Sequence, residues 1–363
     1  MRHPHLLAAV SFHGFGHLAQ SAPVINELRR RIPHLRLTVY CAAPRAVLES
    51  RIEGAFQHWS EAPDVGMVMD GTLKVCRSAS ARAYADFHRD WEGGVAREAE
   101  RLACLAPDLI LADVPYRILS AAARAGIPAV ALCSLNWGAI YRAYCGAAPE
   151  APGILAAMDA AYRSARAFLA PEPALSMDDL PNHRAVGPIG GQGRERRAEL
   201  RRRVGLCGHG PERLVLVAPG GIPTRLPMDR WPLCAGLRWL VPAESAGDGR
   251  ADRFSLDTVG MPFLDLLCSC DALITKPGYG AFVEAACGGV PVLYVRRRDW
   301  PEEPGLTAWL ARHNRCREIT LEQWMAGDLE ADLQALWEMP VPLRPRPVGI
   351  EAAADVLAGW LSR

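Results

Sequence analysis

The fold is decided by the stretch Asp271-Ala-Leu-Ile-Thr-Lys-Pro-Gly-Tyr-Gly-Ala-Phe-Val-Glu-Ala-Ala-Cys-Gly-Gly-Val-Pro291. The apolar run that ends at Thr275 predicts a buried strand, and Gly278 and Gly280 predict a tight turn after it. The following apolar segment predicts a helix that a glycine pair ends before the next strand. A strand, a glycine-rich turn, a helix and a second strand in this order are typical of parallel α/β sheets.

The same alternation extends along the whole chain. Apolar runs without polar alternation predict strands that are covered on both faces, as in parallel sheets. A helix is predicted over residues 21–31, and another is expected to end at Gly126. The sequence therefore predicts two doubly wound α/β domains, each built on a parallel sheet. The strands are predicted at residues 6–12, 35–41, 108–112 and 127–133, and then at 214–218, 272–275 and 290–295.

The domain boundaries follow from glycine and proline. The segment Ala185-Val-Gly-Pro-Ile-Gly-Gly191 predicts a linker or hinge between the two halves. We therefore expect an N-terminal domain over residues 1–184 and a second domain over residues 185–346. A proline-rich crossing segment precedes a last helix. Residues 347–363, which contain that helix, are expected to pack back on the first domain.

Composition narrows the class of protein. The chain has 363 residues and a formal net charge of +1, so no overall charge draws it to nucleic acid. Apolar runs are too short to span a bilayer, and a cytoplasmic location is expected. The eleven cysteines lack zinc-site spacing and are expected to be free, buried thiols. The arginine-rich segment 194–203 predicts a solvated helix in which Glu195 and Glu199 pair with arginines, or else a peripheral contact with an anionic membrane surface.

Two segments of the first half carry candidate catalytic groups. Ser11-Phe-His-Gly-Phe-Gly-His17 lies between the first predicted strand and a helix expected to begin near residues 19–21. His17 or His13 there can act as a general base, because histidine titrates near neutrality. Asp113 ends a predicted strand, at the sheet edge where ligands gather, and can orient a histidine. Each residue can also have a purely structural role, as a surface imidazole or a helix cap.

The third candidate site is the glycine-rich turn of the second half. The backbone N–H groups of Gly278, Tyr279 and Gly280 lie at a helix N-terminus and can bind a diphosphate. Lys276 can add a point charge to that site. Glu284, one helical turn later, can accept hydrogen bonds from a ribose diol.

These residues resemble the donor-binding signature of GT-B glycosyltransferases. The plant-type pattern is T-H-C-G-W-N-S-T-L-E-A followed by G-V-P, and this chain has T-K-P-G-Y-G-A-F-V-E-A followed by G-V-P. In that alignment Lys276 replaces a histidine that contacts the diphosphate, and Glu284 keeps the ribose position. Thr275-Lys-Pro-Gly-Tyr-Gly280 is similar to a bacterial subgroup related to the peptidoglycan N-acetylglucosaminyl transferase.

The resemblance reaches four further places. Gly16-His17 and the Pro107–Asp113 segment are similar to the site histidine and its aspartate partner in these enzymes. Val186-Gly-Pro-Ile189 is similar to the start of their second domain. Gly220 and Gly221, after another predicted strand, match a turn that faces the cleft and the donor.

The resemblance also has departures. The plant-type E/D-Q pair that reads sugar hydroxyls is missing, and Asp299, Glu302 and Glu303 lie in the corresponding loop. Which of these carboxylates takes that role stays open. The arginines at 296–298 in the same loop either contact an acidic sugar or are simply exposed.

The resemblance implies the GT-B fold, in which two Rossmann-like domains face a cleft, with the acceptor bound by residues 1–184 and the nucleotide-sugar bound by residues 185–346. It also implies a metal-independent, inverting hexosyltransferase that has no cofactor and uses a UDP- or dTDP-sugar. His17, oriented by Asp113, is the expected base, with His13 in reserve. The acceptor and the oligomeric state are not readable. Two rivals stay open: a nucleotide-sugar hydrolase, and a non-catalytic nucleotide-sugar-binding or scaffold protein. A set of aromatic residues predicts either an acceptor cleft or core packing: Tyr84, Phe87, Trp91, Trp137 and Tyr141.

Overall fold

A computed structural model describes residues 3–71, 73–220, 226–246, 250–297 and 299–362. The chain divides into two compact units. Unit 1 comprises Met1–Asp70, Lys74–Ile189 and Pro347–Arg363, and unit 2 comprises Gly71–Leu73 and Gly190–Arg346. The main passage between them, after Ile189, lies a few residues beyond the predicted boundary.

Unit 1 contains a seven-stranded parallel sheet among its described residues, in the order β3-β2-β1-β6-β7-β8-β9. A short antiparallel pair, β4 and β5, lies outside that sheet. The strand β1 has a parallel neighbour on each side, β2 and β6, and the apolar side chains along it are completely buried. The strands are β1 His5–Val10, β2 Arg36–Tyr40, β3 Gln57–Trp59, β4 Met69–Asp70, β5 Lys74–Val75, β6 Leu109–Asp113, β7 Ala129–Leu132, β8 Phe168–Pro171 and β9 His183–Val186.

Helices cover both faces of this sheet, and one of them comes from the end of the chain. That last helix, α16 (Gly349–Leu361), packs against α1, and its Ala353, Ala354 and Leu357 lie fully buried in the core around β1 and β2. Arg31 of α1 donates a hydrogen bond to Asp355. The other helices of unit 1 are α1 Phe15–Arg31, α2 Arg45–Glu49, α3 Arg77–His88, α4 Trp91–Leu105, α5 Arg117–Ala125, α6 Trp137–Cys145 and α7 Ala151–Ser164.

The start of α1 corrects a sequence-based expectation. The helix begins at Phe15, several residues before the predicted start, so His17 lies in its first turn and not in the preceding loop. Gly14, at φ 122°, is the N-cap, a backbone conformation that glycine adopts without steric cost. Pro23 lies inside the helix, where it lacks an N–H donor.

Unit 2 contains a six-stranded parallel sheet among its described residues, in the order β12-β11-β10-β13-β14-β15. Separate apolar cores cover its two faces. The strands are β10 Arg213–Val217, β11 Leu237–Val241, β12 Arg253–Ser255, β13 Ala272–Thr275, β14 Val292–Val295 and β15 Cys316–Ile319. The helices are α8 Arg197–Arg203, α9 Ala243–Ala246, α10 Leu256–Val259, α11 Phe263–Ser269, α12 Tyr279–Gly288, α13 Glu303–His313, α14 Leu321–Ala326 and α15 Glu330–Glu338, with a 3-10 turn at Met228–Arg230.

The strand, turn and helix predicted from Asp271 to Pro291 are confirmed as β13, the turn at Lys276–Gly278, and α12. Gly289, at φ 71°, ends α12 in the left-handed conformation. The two parallel-sheet domains predicted from the apolar runs are likewise confirmed. The predicted linker differs in one detail, because Ala185 and Val186 are the last residues of β9, paired in parallel with β8.

The arginine-rich segment is tied into unit 2 by ion pairs. Arg201 is buried, and its guanidinium lies 2.5 Å from Glu212. Glu199 pairs with arginines on both sides, as expected for a helix face. Carboxylates outside this helix also form ion pairs with its arginines, so much of the positive charge of the segment is neutralised within the unit. The remaining pairs are Arg196–Glu199 at 2.6 Å, Arg196–Asp265 at 3.0 Å, Arg197–Asp271 at 2.6 Å, Arg197–Glu195 at 3.9 Å and Arg203–Glu199 at 2.8 Å.

The expectations about membranes and cysteines can be compared with the structure. Within the described residues, no helix has the length and apolarity needed to span a membrane. The cysteines are free, as predicted. The expectation that all are buried is wrong, because Cys104 and Cys207 are exposed.

Candidate functional site

The candidate site of unit 1 lies at the carboxyl ends of the central strands. The parallel pairing of β1 with β6 places Val10 beside Asp113, the last residue of β6. His17 lies in the first turn of α1, directly after the β1 loop. Cys133 follows β7, the neighbour of β6. The sheet order thus brings together three side chains that are distant in sequence.

His17 and Asp113 form a buried hydrogen bond. Nδ1 of His17 lies 2.9 Å from Oδ1 of Asp113. Asp113 is fully buried, and His17 keeps 7% of its surface exposed. Burial raises the pKa of Asp113, and the hydrogen bond and charge of His17 and the nearby Cys133 thiol oppose that rise. The carboxylate can therefore hold the imidazole in one orientation and stabilise its protonated form.

A second carboxylate, which the sequence reasoning missed, lies near the two histidines. Oδ2 of Asp64 accepts a hydrogen bond from Ser11 and one of 2.7 Å from Nε1 of Trp137. Burial raises the pKa of Asp64, while those hydrogen bonds and the charge of His17 lower it. The Trp137 ring centroid is 5.7 Å from that of His13 and 5.8 Å from that of His17. No periodic pattern in the irregular segment around Asp64 predicts this placement.

Of the aromatic residues predicted either to line an acceptor cleft or to pack in a core, three are buried and two are partly exposed. Tyr84, Trp137 and Tyr141 are completely buried and pack as core residues. Trp91 is partly exposed, and its ring stacks on His88 at 4.6 Å between centroids. A surface pocket of about 320 Å³ is lined in part by those two rings. Phe87, also partly exposed, packs against Trp91.

The candidate site of unit 2 is the turn between β13 and α12. Gly278 is the N-cap of α12, and Tyr279 and Gly280 form its first turn. A Cβ added at Gly278 would have only the Lys276 carbonyl oxygen within 4.0 Å, so the turn has room around it. The N–H groups at a helix N-terminus and its positive dipole end suit an anion.

Lys276 lies beside that turn, close to the positive charge of Arg297. Its pKa is lowered to about 8, because burial disfavours the ammonium and because the charge of Arg297 repels it, while Glu302 acts in the opposite direction. Arg297 is buried, and its guanidinium carbon lies 3.8 Å from the Trp300 ring centroid. Two cations are thus held together at the ends of β13 and β14, an arrangement that suits a multiply charged anion.

Arg297 also corrects the expectation for the loop after β14. The arginines there were expected either to contact an acidic sugar or to be exposed, and Arg297 is buried. Arg296 is partly buried and donates a 2.5 Å hydrogen bond to Glu303. Arg298 lies outside the described residues.

The carboxylates of that loop have different surroundings. Glu303 is buried and bound to Arg296. Glu302 is buried, and its Oε2 accepts a 3.3 Å hydrogen bond from Nε1 of Trp300. Asp299 is exposed. Of the three, Glu302 is the one whose charge acts on Lys276.

Glu284 lies on α12, one turn after Gly280, and is 97% buried, with 3% of its surface exposed. The chain passes close to it at the start of unit 2, since a Cβ on Gly191 would lie 3.6 Å from Oε1 of Glu284. The two glycines at 190–191 therefore let the backbone approach α12 closely.

The backbone of Gly220 lies close to the Lys276 side chain, and a substitution at Gly220 tests this contact. It has φ 108°, and a Cβ there would lie 2.9 Å from Cε of Lys276. We expect Gly220→Ala to cost about 1–3 kcal/mol of unfolding free energy through backbone strain, and also to displace Lys276 and weaken UDP binding. Calorimetric UDP titration and urea unfolding measure the two effects. Gly221, predicted with it, lies outside the described residues.

The matched control for this variant is Gly236→Ala. Gly236 has φ 81°, and a Cβ there would meet nothing within 4 Å. It should therefore lose stability without losing UDP affinity. Equal UDP affinity in wild type and Gly220→Ala would contradict the supporting role of Gly220.

Comparison with solved structures identifies the fold as GT-B. The calicheamicin glycosyltransferase CalG4 superposes with a TM-score of 0.62 at 16% identity, covering 100% of this chain and 99% of CalG4. UGT89C1 of Arabidopsis thaliana, solved with UDP, gives 0.56 at 15% identity, with 99% and 100% covered. SnogD from Streptomyces nogalater, a glycosyltransferase, gives 0.54 at 16%, with 99% and 100% covered.

Sequence comparison adds a curated relative. No protein-family model matches the chain. L-arabinokinase of Arabidopsis thaliana is 27% identical over 333 residues, which cover 88% of this chain and 31% of the relative. The chain thus spans about a third of the length of that curated relative.

Proposed function

We propose that this protein is a glycosyltransferase that moves a sugar from a nucleoside-diphosphate donor to an acceptor hydroxyl. The proposed nucleotide is UDP or dTDP. The reaction is metal-independent and inverts the anomeric carbon. The fold and the UDP complexes among its structural neighbours support a nucleotide-sugar substrate. The free thiols favour a reducing, cytoplasmic location.

The observation that carries the proposal is the buried hydrogen bond between His17 and Asp113. A protein that only bound a nucleotide-sugar would need the donor turn, but it would not need a histidine held by a buried carboxylate at a sheet edge. His17 is also the member of the pair that keeps some exposure, as a base that reaches a substrate must.

The proposed donor site uses the residues around α12. The diphosphate binds the N–H groups at Gly278–Gly280, with Lys276 and Arg297 as its cations. Glu284 accepts hydrogen bonds from the ribose hydroxyls. Gly220 holds Lys276 in place, and Glu302 or Asp299 accepts hydrogen bonds from the sugar hydroxyls. The helix N-terminus and the two cations stabilise the charge that develops on the leaving diphosphate.

The proposed catalytic step uses the two nitrogens of His17 differently. Nδ1–H donates to Asp113, so Nε2 is the nitrogen that accepts a proton. As the acceptor oxygen bonds to the anomeric carbon and the bond to the diphosphate breaks, Nε2 takes the hydroxyl proton. Asp113 then stabilises the imidazolium. His13, across the Trp137 ring, is the reserve base, and a single displacement inverts the centre.

Calorimetry with UDP, dTDP and GDP tests the donor site. We expect one nucleotide to bind, and we expect Glu284→Ala to weaken its binding by about 1–3 kcal/mol, because a charged hydrogen bond is lost. Glu284→Gln, which keeps the size and one acceptor oxygen, should lose less. Glu322→Ala, at an exposed position of the same unit, is the control. No binding of any nucleotide would overturn the proposed donor site.

Product analysis separates transfer from hydrolysis. The protein is incubated with the sugar donor of the nucleotide that binds, first alone and then with a panel of hydroxyl acceptors. A new glycoside that forms only with an acceptor supports transfer. Release of free sugar at the same rate with and without acceptors would instead indicate a hydrolase.

A further inference from the structure

Cys133 is a buried thiol beside the His17–Asp113 pair that the proposed reaction does not use. Its Sγ lies 3.7 Å from Nδ1 of His17. The ligand atoms of His17, Asp113 and Cys133 all lie within 4.8 Å of one another, and the three residues are buried. Oδ2 of Asp113 is buried without a hydrogen-bond partner among the residues that the structure describes. An imidazole, a thiol and an unsatisfied carboxylate oxygen thus converge on one point.

The spacing of these atoms suits a tetrahedral divalent ion. Zinc binds histidine nitrogen at about 2.0–2.1 Å and cysteine sulfur at about 2.3 Å, which places N and S roughly 3.6 Å apart at a tetrahedral angle. The observed separation of 3.7 Å already agrees with that value. The 2.9 Å separation of Nδ1 and Oδ1 would have to open by roughly half an ångström, or Oδ2 would serve instead.

We propose that His17, Asp113 and Cys133 form an inhibitory binding site for a thiophilic divalent cation such as Zn²⁺. The ion binds Nδ1 of His17, a carboxylate oxygen of Asp113 and the thiolate of Cys133. A fourth position is left for water, as in three-ligand zinc sites. The small exposed part of His17 is the route by which the ion enters.

Metal binding and catalysis need opposite tautomers of His17. In the proposed reaction Nδ1 carries the proton and Nε2 is the base. An ion on Nδ1 displaces that proton to Nε2, which can then donate but cannot accept. The Cys133 thiol loses its proton to solvent, so each bound ion releases one proton. The metal site depends only on the geometry, whereas its inhibitory effect rests on the proposed function.

Cobalt titration of the full chain, kept reduced and free of oxygen, tests the site directly. Co²⁺ should produce a thiolate-to-metal charge-transfer band that saturates at one equivalent. Cys133→Ser and His17→Ala should lose that band. Cys41→Ser is the matched control and should keep it, because Cys41 is a buried thiol that follows strand β2 but is not one of the three ligands. A band that survives in Cys133→Ser, or none in the wild type, overturns the proposal.

Two further measurements make the test robust. Calorimetry of Zn²⁺ binding to the wild type in buffers of different ionisation enthalpy should show release of one proton, and this needs no variant. Zn²⁺ should also inhibit transfer, at a concentration raised at least about 100-fold in Cys133→Ser, since losing even an outer-shell partner costs about 10–100-fold in affinity. A cobalt band in a protein without transfer activity would leave the metal site standing and refute only the proposed function.

Discussion

Replacing His17 with alanine is expected to lower kcat for sugar transfer by about 10²–10⁴-fold, the usual contribution of a general base. The affinity for UDP should not change, because the proposed donor residues all belong to the other unit. The measurement is initial-rate kinetics together with calorimetric UDP titration. This separation of kcat from nucleotide affinity distinguishes loss of the base from unfolding.

Asp113→Asn is the companion variant and should also lower kcat strongly. The amide cannot stabilise an imidazolium, and it can donate to Nδ1, which would place the proton on Nε2. His183→Ala, in the edge strand β9 of the same sheet, is the matched control and should keep its rate. Retention of the full transfer rate in His17→Ala with UDP still bound would refute His17 as the base and favour His13, the reserve base.

Lys276→Met is expected to weaken UDP binding by roughly 10–100-fold, since a hydrogen bond to a charged group contributes about 1.5–3 kcal/mol. It should not weaken folding near pH 7. The folded-state pKa of about 8 lies below the usual lysine pKa of 10.5, so burial of the ammonium opposes folding at neutral pH. The UDP affinity of Lys276→Met should therefore fall, whereas its free energy of unfolding in urea should not.

The same pKa gives UDP binding a predicted pH dependence. As pH rises through about 8, Lys276 loses its charge, and the wild-type affinity for UDP should fall. UDP itself stays fully ionised there, because the second pKa of a phosphate is about 6. Between pH 8 and 10.5 the unfolded chain binds more protons at this group than the folded chain does, so its contribution to stability rises with pH.

The chain offers a simple control for Lys276. The sequence has one other lysine, Lys74, which is exposed. Lys74→Met should bind UDP as the wild type does and should keep the pH dependence, whereas Lys276→Met should show none above pH 7. A wild-type affinity that stays constant from pH 7 to 9 would contradict the role of Lys276.

The sequence predicts the donor segment well because its signals are local. An apolar run, two glycines and a second apolar run lie within twenty-one residues, and each fixes its own backbone conformation. The bounds of β13 agree with the prediction residue for residue. The start of α1 was harder to predict from the sequence, because Gly16 and Pro23 weaken the helical pattern. In the folded unit, packing against the sheet and α16 stabilises this helix.

Other members of the candidate sites depend on tertiary packing. Asp64 comes from an irregular segment, and only the folded unit brings it to Ser11 and Trp137. Cys133 has no spacing motif, and the order of β6 and β7 places it beside Asp113. Arg297 sits among consecutive arginines that read as a solvent-exposed run, yet the Trp300 ring covers its guanidinium. Sequence patterns carry no signal for such contacts between distant segments.

The return of α16 to unit 1 has a consequence for how this chain is made. A ribosome releases the seven strands of the unit 1 sheet early, but Ala353, Ala354 and Leu357, which belong to its core, emerge only after unit 2. Unit 2 is almost entirely a continuous segment, from Gly190 to Arg346, that is synthesised before them. Since domains fold as they emerge, the segment made second can finish folding first. The core of the unit that holds His17 therefore stays incomplete until the residues after Arg346 have emerged.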